Sequence, residues 1–410
     1  MTSDHASHRA AVARPRRLGL LAHGFASWGG GLDFLRGIAT GLHHADATLE
    51  LHVLAPMRGP LVMARNLRDA ANGLLGRPNM AAHRPQPAHL ERALAGTGAI
   101  LHMIDIGPRA LARATARLRL DALLPAIAPQ PADGTPWVGY VFDFQHKHLP
   151  QFFTGEERVK RDVEFGRMLD NATAVIVNAR DVVKDIEQYY PRRRAKVFAM
   201  PFSPAPGGDA FSVDVADARR RHGVGGRYFI VCNQFWKHKD HGTAFKAFAA
   251  LSARHPELQL VCTGATSDHR FPGHFDELMR QADRDGVADR ILALGLIPKL
   301  DQLALLRGAV ALVQPTLFEG GPGGGAVFDA VAVGQRSIVS DIPVNTEIDE
   351  PGVTFFEAGN AASLAAHMEA ALAHEAPAAP DPAELIARGI ERRRACGQVL
   401  LQAVDFVRAA

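Results

Sequence analysis

The chain has 410 residues, which at roughly 150 residues per domain predicts two or three domains. Hydrophobic residues make up 47% and charged residues 22%, a globular balance that excludes disorder and coiled coil. With 46 Lys+Arg against 43 Asp+Glu the formal charge is +3, too even for nucleic acid as the main partner. Gly 38 and Pro 26 with only 7% aromatics point to many short turns joining alternating strands and helices. Cys232, Cys262 and Cys396 lack metal-ligand spacing and cannot build a disulfide framework, which fits a reducing compartment. No apolar run reaches the ~18 residues of a spanning helix, and His102 and Asp105 interrupt the best candidate.

Residues 1–15, with His5, His8, Arg9 and Arg14 but no apolar h-region, predict a disordered leader rather than a signal peptide, and so a cytoplasmic protein. From 16 to 203 short apolar runs alternate with helical stretches. Strands are predicted at 18–22, 51–54, 99–104, 122–124, 138–141, 174–177 and 196–200. The turn Trp28-Gly29-Gly30-Gly31 leads into a helix ending at Leu42, and further helices fall at 156–169 and 179–189. Residues 204–226, rich in proline, glycine and charge, read as a linker. The alternation then restarts over 227–380. Strands are predicted at 228–232, 258–262, 291–294, 309–313 and 337–339, and helices at 242–253, 275–281, 300–307, 326–333 and 361–372. After a Pro/Ala break, residues 381–410 carry a final amphipathic helix over 385–407. Two doubly wound α/β domains facing a central cleft are the expected architecture, with ligands at the C-terminal ends of the strands.

The chemistry concentrates after Pro315. Between a strand and a helix lie Gly320, Gly321, Gly323, Gly324 and Gly325, five glycines in six positions. Such residues let backbone N–H groups approach a ligand, and the following helix adds its positive end, which suits a diphosphate held without a metal. A tight turn alone would explain one or two of them. Glu319 before the loop and Asp329 on the helix could each accept two hydroxyls of a ribose or hexose; Asp329 also reads as a solvent-facing helix charge. The segment 233–241 follows the first strand of the second half, so a lysine there would point into the cleft and neutralise a leaving phosphate. Lys237, His238, Lys239 and His241 are the candidates, a solvated loop charge being the bland reading of any one. In the first half His146, within 143–150 after a buried strand, could contact a sugar or orient an acceptor, or be merely structural.

Together these residues resemble the family-4 (group 1) retaining glycosyltransferases of the GT-B fold. The likeness rests on 233–241, Thr263-Gly264 with Asp268 and Arg270, 295–298, 315–330, Ser340-Asp341-Ile342-Pro343 leading to Glu347, and, in the first half, 29–31, 143–150 with Phe152-Phe153, and 175–178. It implies two Rossmann-like domains, a C-terminal helix returning to the N-terminal domain, an acceptor bound by residues 16–203 and a nucleotide-diphosphate sugar bound by 227–380. Glu319 then meets donor-sugar hydroxyls, Asp329 the ribose and Lys239 the diphosphate. Gly321 and Gly323 to Gly325 form the glycine loop, with backbone donors expected from the last three, and Ile297 and Leu300 line the base pocket. His146 lies near the reacting sugar, and Gly30 and Gly31 meet the donor phosphates. The family's usual basic partner is replaced by Gln234, leaving Lys237 or Arg270 to assist Lys239. The loop between the two acids is two residues longer than is common in that family.

The resemblance implies transfer with retained anomeric configuration and no enzymic nucleophile, to a glycan or glycolipid acceptor in bacterial polysaccharide assembly. No Asp-x-Asp motif stands where the diphosphate would bind, so neither metal nor cofactor is expected. A nucleotide-sugar epimerase and a non-catalytic nucleotide-sugar-binding protein are the alternatives. Arg109, Arg113 and Arg117 recur every four residues on one helix face; a solvated face is the simpler reading, peripheral contact with the inner membrane surface the other.

Overall fold

The computed structural model describes residues 16–25, 30–56, 87–105, 107–130, 134–374 and 381–410. The leader at 1–15 and Trp28-Gly29 of the first glycine turn lie outside these residues.

Runs of consecutive apolar residues, buried on both faces, are what a parallel sheet covered by helices requires. The first domain builds such a sheet from β1 (Arg17–Leu21), β2 (Glu50–Pro56), β3 (Ile100–Ile104), β4 (Ala122–Ala126), β5 (Trp137–Tyr140), β6 (Ala174–Val177) and β7 (Lys196–Ala199), in the order β3-β2-β1-β4-β5-β6-β7. Every residue of β4 and β6 is buried, and the β1–β2 register sets Leu18 beside Leu51 and Leu20 beside Val53. The connecting helices are α1 (Gly31–Ala45), α2 (Pro87–Ala93), α3 (Pro108–Leu118), the single turn α4 (Gln145–His148), α5 (Gly155–Asn171) and α6 (Arg180–Tyr189). A capping box of Thr154 and Glu157 starts α5.

The second sheet runs β10-β9-β8-β11-β12-β13, all parallel, from β8 (Tyr228–Cys232), β9 (Gln259–Thr263), β10 (Ile291–Gly295), β11 (Leu312–Gln314), β12 (Ser337–Ser340) and β13 (Val353–Phe356). Alternate residues of β8 feed opposite faces. Phe229 and Val231 pack with Phe245, Phe248, Leu364 and Met368, whereas Tyr228 and Ile230 pack with Leu305, Leu306, Val327 and Val331. The helices are α7 (Val215–Arg221), α8 (His241–Ser252), α9 (His274–Arg284), α10 (Lys299–Gly308), α11 (Gly324–Ala332) and α12 (Ala361–Ala373). In each sheet the strand order reverses once, between β1 and β4 and between β8 and β11, and the crevices beside these points face across the molecule.

The last helix, α13 (Pro382–Ala409), opens with the Asp381 side chain capping Ala383 N–H and Pro382 in its first turn. It returns to the first domain, where Cys396, Leu400, Ala403, Val404 and Val407 join the core around Leu18, Leu35 and Ile38. Gly41 and Gly397 bring α1 and α13 together: a Cβ on Gly397 would lie 1.9 Å from the Gly41 carbonyl oxygen.

The stretch read as a linker over 204–226 is folded in its second half. Helix α7 packs on α10, with Ala210, Ala218 and Val224 in the second core and Asp301 accepting from Arg221 and His222. Ala218 is the one buried residue of α7, so charge dominates its sequence through Asp217, Arg219, Arg220 and Arg221. Strand β13 was not expected either; of its four residues only Phe356 is buried.

Candidate active site

β11 ends at Gln314, and the chain crosses the C-terminal edge of the second sheet before entering α11. The glycines of this loop serve different ends. Gly323 and Gly324 adopt φ of +66° and +58°, and a Cβ on Gly324 would sit 2.6 Å from Glu319 Oε2. Gly320 and Gly321 admit the other domain: added Cβ atoms would lie 2.9 Å from Asp143 Cβ and 3.0 Å from Asn178 Cβ. Gly325 is exposed in the first turn of α11 with open space around it.

Glu319 is buried at the centre of a polar chain. Lys239 donates from Nζ to Glu319 Oε1 at 2.5 Å, and Gln314 Nε2 donates to the same oxygen and to the Gly323 carbonyl, each at 3.0 Å. Asn233 Nδ2 donates to Gln314 Oε1 at 2.5 Å, and Asn345 Oδ1 accepts from Gly323 N–H at 2.8 Å. The sequence reading missed Gln314, Asn233 and Asn345 as support for this loop. Gln314 carried a signal, a lone amide ending an apolar strand, and it is wholly buried. Lys239 itself ends the turn 237–239, fixed where Asp240, at φ +48°, caps α8 through Thr243. The neighbouring His238 and His241 are held neutral, burial pushing both down to about 3. His241 stacks on Phe235 with ring centroids 4.0 Å apart.

A second ion pair joins Asp329 on α11 to Lys299 at the start of α10. Burial raises the Asp329 carboxyl above its ordinary value, with Lys299 opposing. Burial, the largest single influence, draws the ammonium of Lys299 down, but the charge and hydrogen bond of Asp329 together with the charge of Asp33 leave Lys299 above its usual value. Asp33 of α1 bears electrostatically on both, which places the first turn of α1, begun by Gly30 and Gly31, opposite this pair. Gly30 is exposed, whereas Gly31 packs so tightly that a Cβ would meet the Phe25 carbonyl at 2.0 Å. Ile297 and Leu300 are half-buried against the second core, beside the exposed Leu296. Lys299, absent from the expected set, stands between those two residues in sequence.

Around the rim Asp268 accepts from the backbone N–H groups of Lys237 and Arg270. The exposed Lys237 ammonium lies 4.6 Å over the Phe271 ring, and the Arg270 guanidinium 4.4 Å over Phe153 of the first domain. Arg270 Nε is buried with no hydrogen-bond partner among the described residues. Gln234 is half-buried, and its backbone crowds Gly264, where a Cβ would lie 2.7 Å from Gln234 N.

His146 is not in the cleft. Its ring is 1% exposed among Phe144, Phe153 and Phe165, with Nε2 2.9 Å from Asp162 and Nδ1 accepting from Arg161 Nε at 3.2 Å. Both nitrogens are occupied by the first domain's own side chains, so a role beside the reacting sugar does not fit. Two residues on, His148 turns the other way. It pairs with Asp185 at 2.8 Å, which raises its pKa, and its ring lies 5.4 Å from Phe318 beside Glu319. Among the described residues no group of three or more His, Cys, Asp or Glu side chains is placed to hold a metal ion, and no helix is long and apolar enough to cross a membrane.

Residues 214–392, from α7 into α13, match the family model of group 1 glycosyl transferases. Among solved structures, sucrose-phosphate synthase from Thermosynechococcus elongatus superposes with a TM-score of 0.58 at 16% identity, over 94% of this chain and 97% of that one. HepE from Anabaena, in complex with UDP and glucose, does so with 0.56 at 13%, over 96% and 97%. WaaG, a glycosyltransferase involved in lipopolysaccharide biosynthesis, gives 0.55 at 13%, over 95% and 99%. No curated protein sequence matches the chain significantly. The fold is therefore GT-B: two Rossmann-like domains and a C-terminal helix that crosses back.

Proposed function

We propose that this protein is a retaining, metal-independent glycosyltransferase of the family-4 type, taking its sugar from a nucleotide-diphosphate donor. The observation that carries this reading is the buried Lys239–Glu319 pair at the mouth of the Gly323–Gly325 helix start, facing the first domain across the cleft. The Gly323 and Gly324 N–H groups are taken by Asn345 and the Gly321 carbonyl, so in the first turn of α11 the N–H groups of Gly325 and Ala326, which lack intrahelical acceptors, can take diphosphate oxygens, with Lys239 adding a cation. As the sugar departs, negative charge grows on the diphosphate, where fixed donors lower the barrier most. In this reading Glu319 accepts sugar hydroxyls once a donor engages Lys239, and Asp329 with Lys299 receives the ribose while Ile297 and Leu300 flank the base. The acceptor, a glycan or glycolipid of bacterial polysaccharide assembly, enters from the first domain. That HepE was crystallised with UDP-glucose supports a nucleotide-sugar donor, and the group 1 match covers the domain assigned to it.

A thermal-shift screen against UDP, GDP, ADP and CMP tests the reading. One of these nucleotides should raise the melting temperature, its stabilisation growing with the logarithm of its concentration over Kd to about 2.7 kcal/mol at 100 times Kd. Proton NMR of the reaction with the matching nucleotide sugar and an acceptor should then show, from the coupling at the anomeric carbon, a product with unchanged anomeric configuration. No shift with any of the four at millimolar concentration would sink the donor site; binding followed by an isomerised free nucleotide sugar would mark an epimerase.

A further inference from the structure

On the second domain, at the N-terminal ends of β8, β11 and β12 and so at the opposite edge of the sheet from Glu319, lies a cavity of about 520 Å³. Three arginines line it: Arg219 from α7, Arg227 before β8 and Arg336 before β12, with His374 at the end of α12. Its lining contains no Asp or Glu, and none of the three arginines is in an ion pair among the described residues. Backbone carbonyls aim them. Arg219 donates to the Val224 and Gly226 carbonyls, Arg227 to Leu372 at 3.0 Å, and Arg336 to Val310 at 3.2 Å and Ala371 at 3.5 Å. Those to Leu372 and Ala371 also serve the last turn of α12, a structural use that employs one nitrogen of each side chain. A guanidinium carries five donors, so every arginine keeps some for another acceptor.

Three like charges gathered around one concavity repel each other unless an anion joins them. The planar fork of arginine matches an oxyanion with two parallel hydrogen bonds, which is why such clusters recognise phosphate. From this geometry we infer a second ligand site, separate from the cleft, for a small phosphorylated molecule: a phosphate ester or a diphosphate. The volume suits a compound of that size, and the far edge of the sheet keeps it clear of a donor in the cleft. The site stands independently of the transferase reading.

Inorganic pyrophosphate and glycerol phosphate, titrated calorimetrically into the full chain at constant ionic strength, test it. The double variant Arg219→Gln/Arg227→Gln should lose at least ~10-fold in the affinity of one binding event, whereas Lys239→Ala, which removes the diphosphate contact of the cleft, should leave that event in place with its affinity unchanged. Arg219→Gln alone spares both α12 carbonyl contacts; it should weaken binding several-fold with an unchanged melting temperature, which separates loss of ligand from loss of fold. Preference for glycerol phosphate would identify an ester, preference for pyrophosphate a diphosphate. Equal affinity in the arginine variants and wild type, displacement of either probe by equimolar chloride, or binding abolished by Lys239→Ala would overturn the proposal.

Discussion

At Lys239 and Glu319 two opposite charges lie 2.5 Å apart, with side chains 11% and 8% exposed. Their attraction is strong in so dry a setting, but so is the cost of stripping water from both, and removing one partner strands the other. Lys239→Ala should therefore lower stability by about 3–5 kcal/mol, with the double variant Lys239→Met/Glu319→Gln losing less than either single change. Turnover should fall at least ~100-fold in each, the scale of losing a transition-state donor. Urea titration and steady-state rates check the two halves separately; full activity in Lys239→Ala would remove it from the reaction. Both residues stood out in the sequence because glycines and strand ends flank them. His146 and His148 show the limit of such reading. Two positions apart on a single helical turn they point to opposite sides, and only the packing of α5 decides which one faces the cleft. Lys299 was unreadable for another reason, its partner Asp329 lying thirty residues on.

Among the elements, the strands were the most legible, because parallel strands buried on both faces leave uninterrupted apolar runs. The alternation of those runs with helices carried the two-domain GT-B arrangement. Helix α7 escaped because a short helix with one buried residue has the composition of a linker. The α1–α13 crossing could not be seen at all: Gly41 and Gly397 read as ordinary helix-weakening glycines until the helices meet. Their purpose is close approach, and Gly397→Ala measures it. With a Cβ 1.9 Å from the Gly41 carbonyl the helices must separate, and overpacking of this kind costs about 1–3 kcal/mol even though alanine favours helix. Gly208→Ala, where a Cβ meets nothing within 4 Å, should stay within about 0.5 kcal/mol of wild type. Chemical denaturation that ranks the two variants equally would mean that the crossing tolerates expansion.

For the molecule as a whole, the domains are joined by the returning helix α13, by Ile342 and Val344 packed into the first domain's core, and by contacts across the cleft. Phe318 meets His148, Arg270 covers Phe153, Phe271 meets Phe152, and Gly320 and Gly321 let the glycine loop approach Asp143 and Asn178. Besides the Arg392–Glu350 pair of α13, a polar and directional contact crosses directly between the two domains. Helix α6 of the first domain begins at Ala179, which offers no side-chain cap. Its first N–H groups are instead taken by Glu347 of the second domain, with Oε2 accepting from Arg180 N at 3.0 Å and Oε1 from Asp181 N at 2.6 Å. A carboxylate at a helix start satisfies orphan donors and opposes the positive end of the helix dipole. Because the two groups belong to different domains, that stabilisation exists only while the domains are together, so it biases their separation without supporting either core. Glu347→Ala should cost about 1 kcal/mol of the juxtaposed state, the usual value of a cap and a factor of about five in its population. Small-angle scattering should then show a larger radius of gyration for the ligand-free variant. A nucleotide that touches both domains should bind several-fold more weakly, and the unfolding midpoint should barely move. An unchanged scattering profile together with unchanged nucleotide affinity would show that the apolar contacts alone set the spacing of the domains.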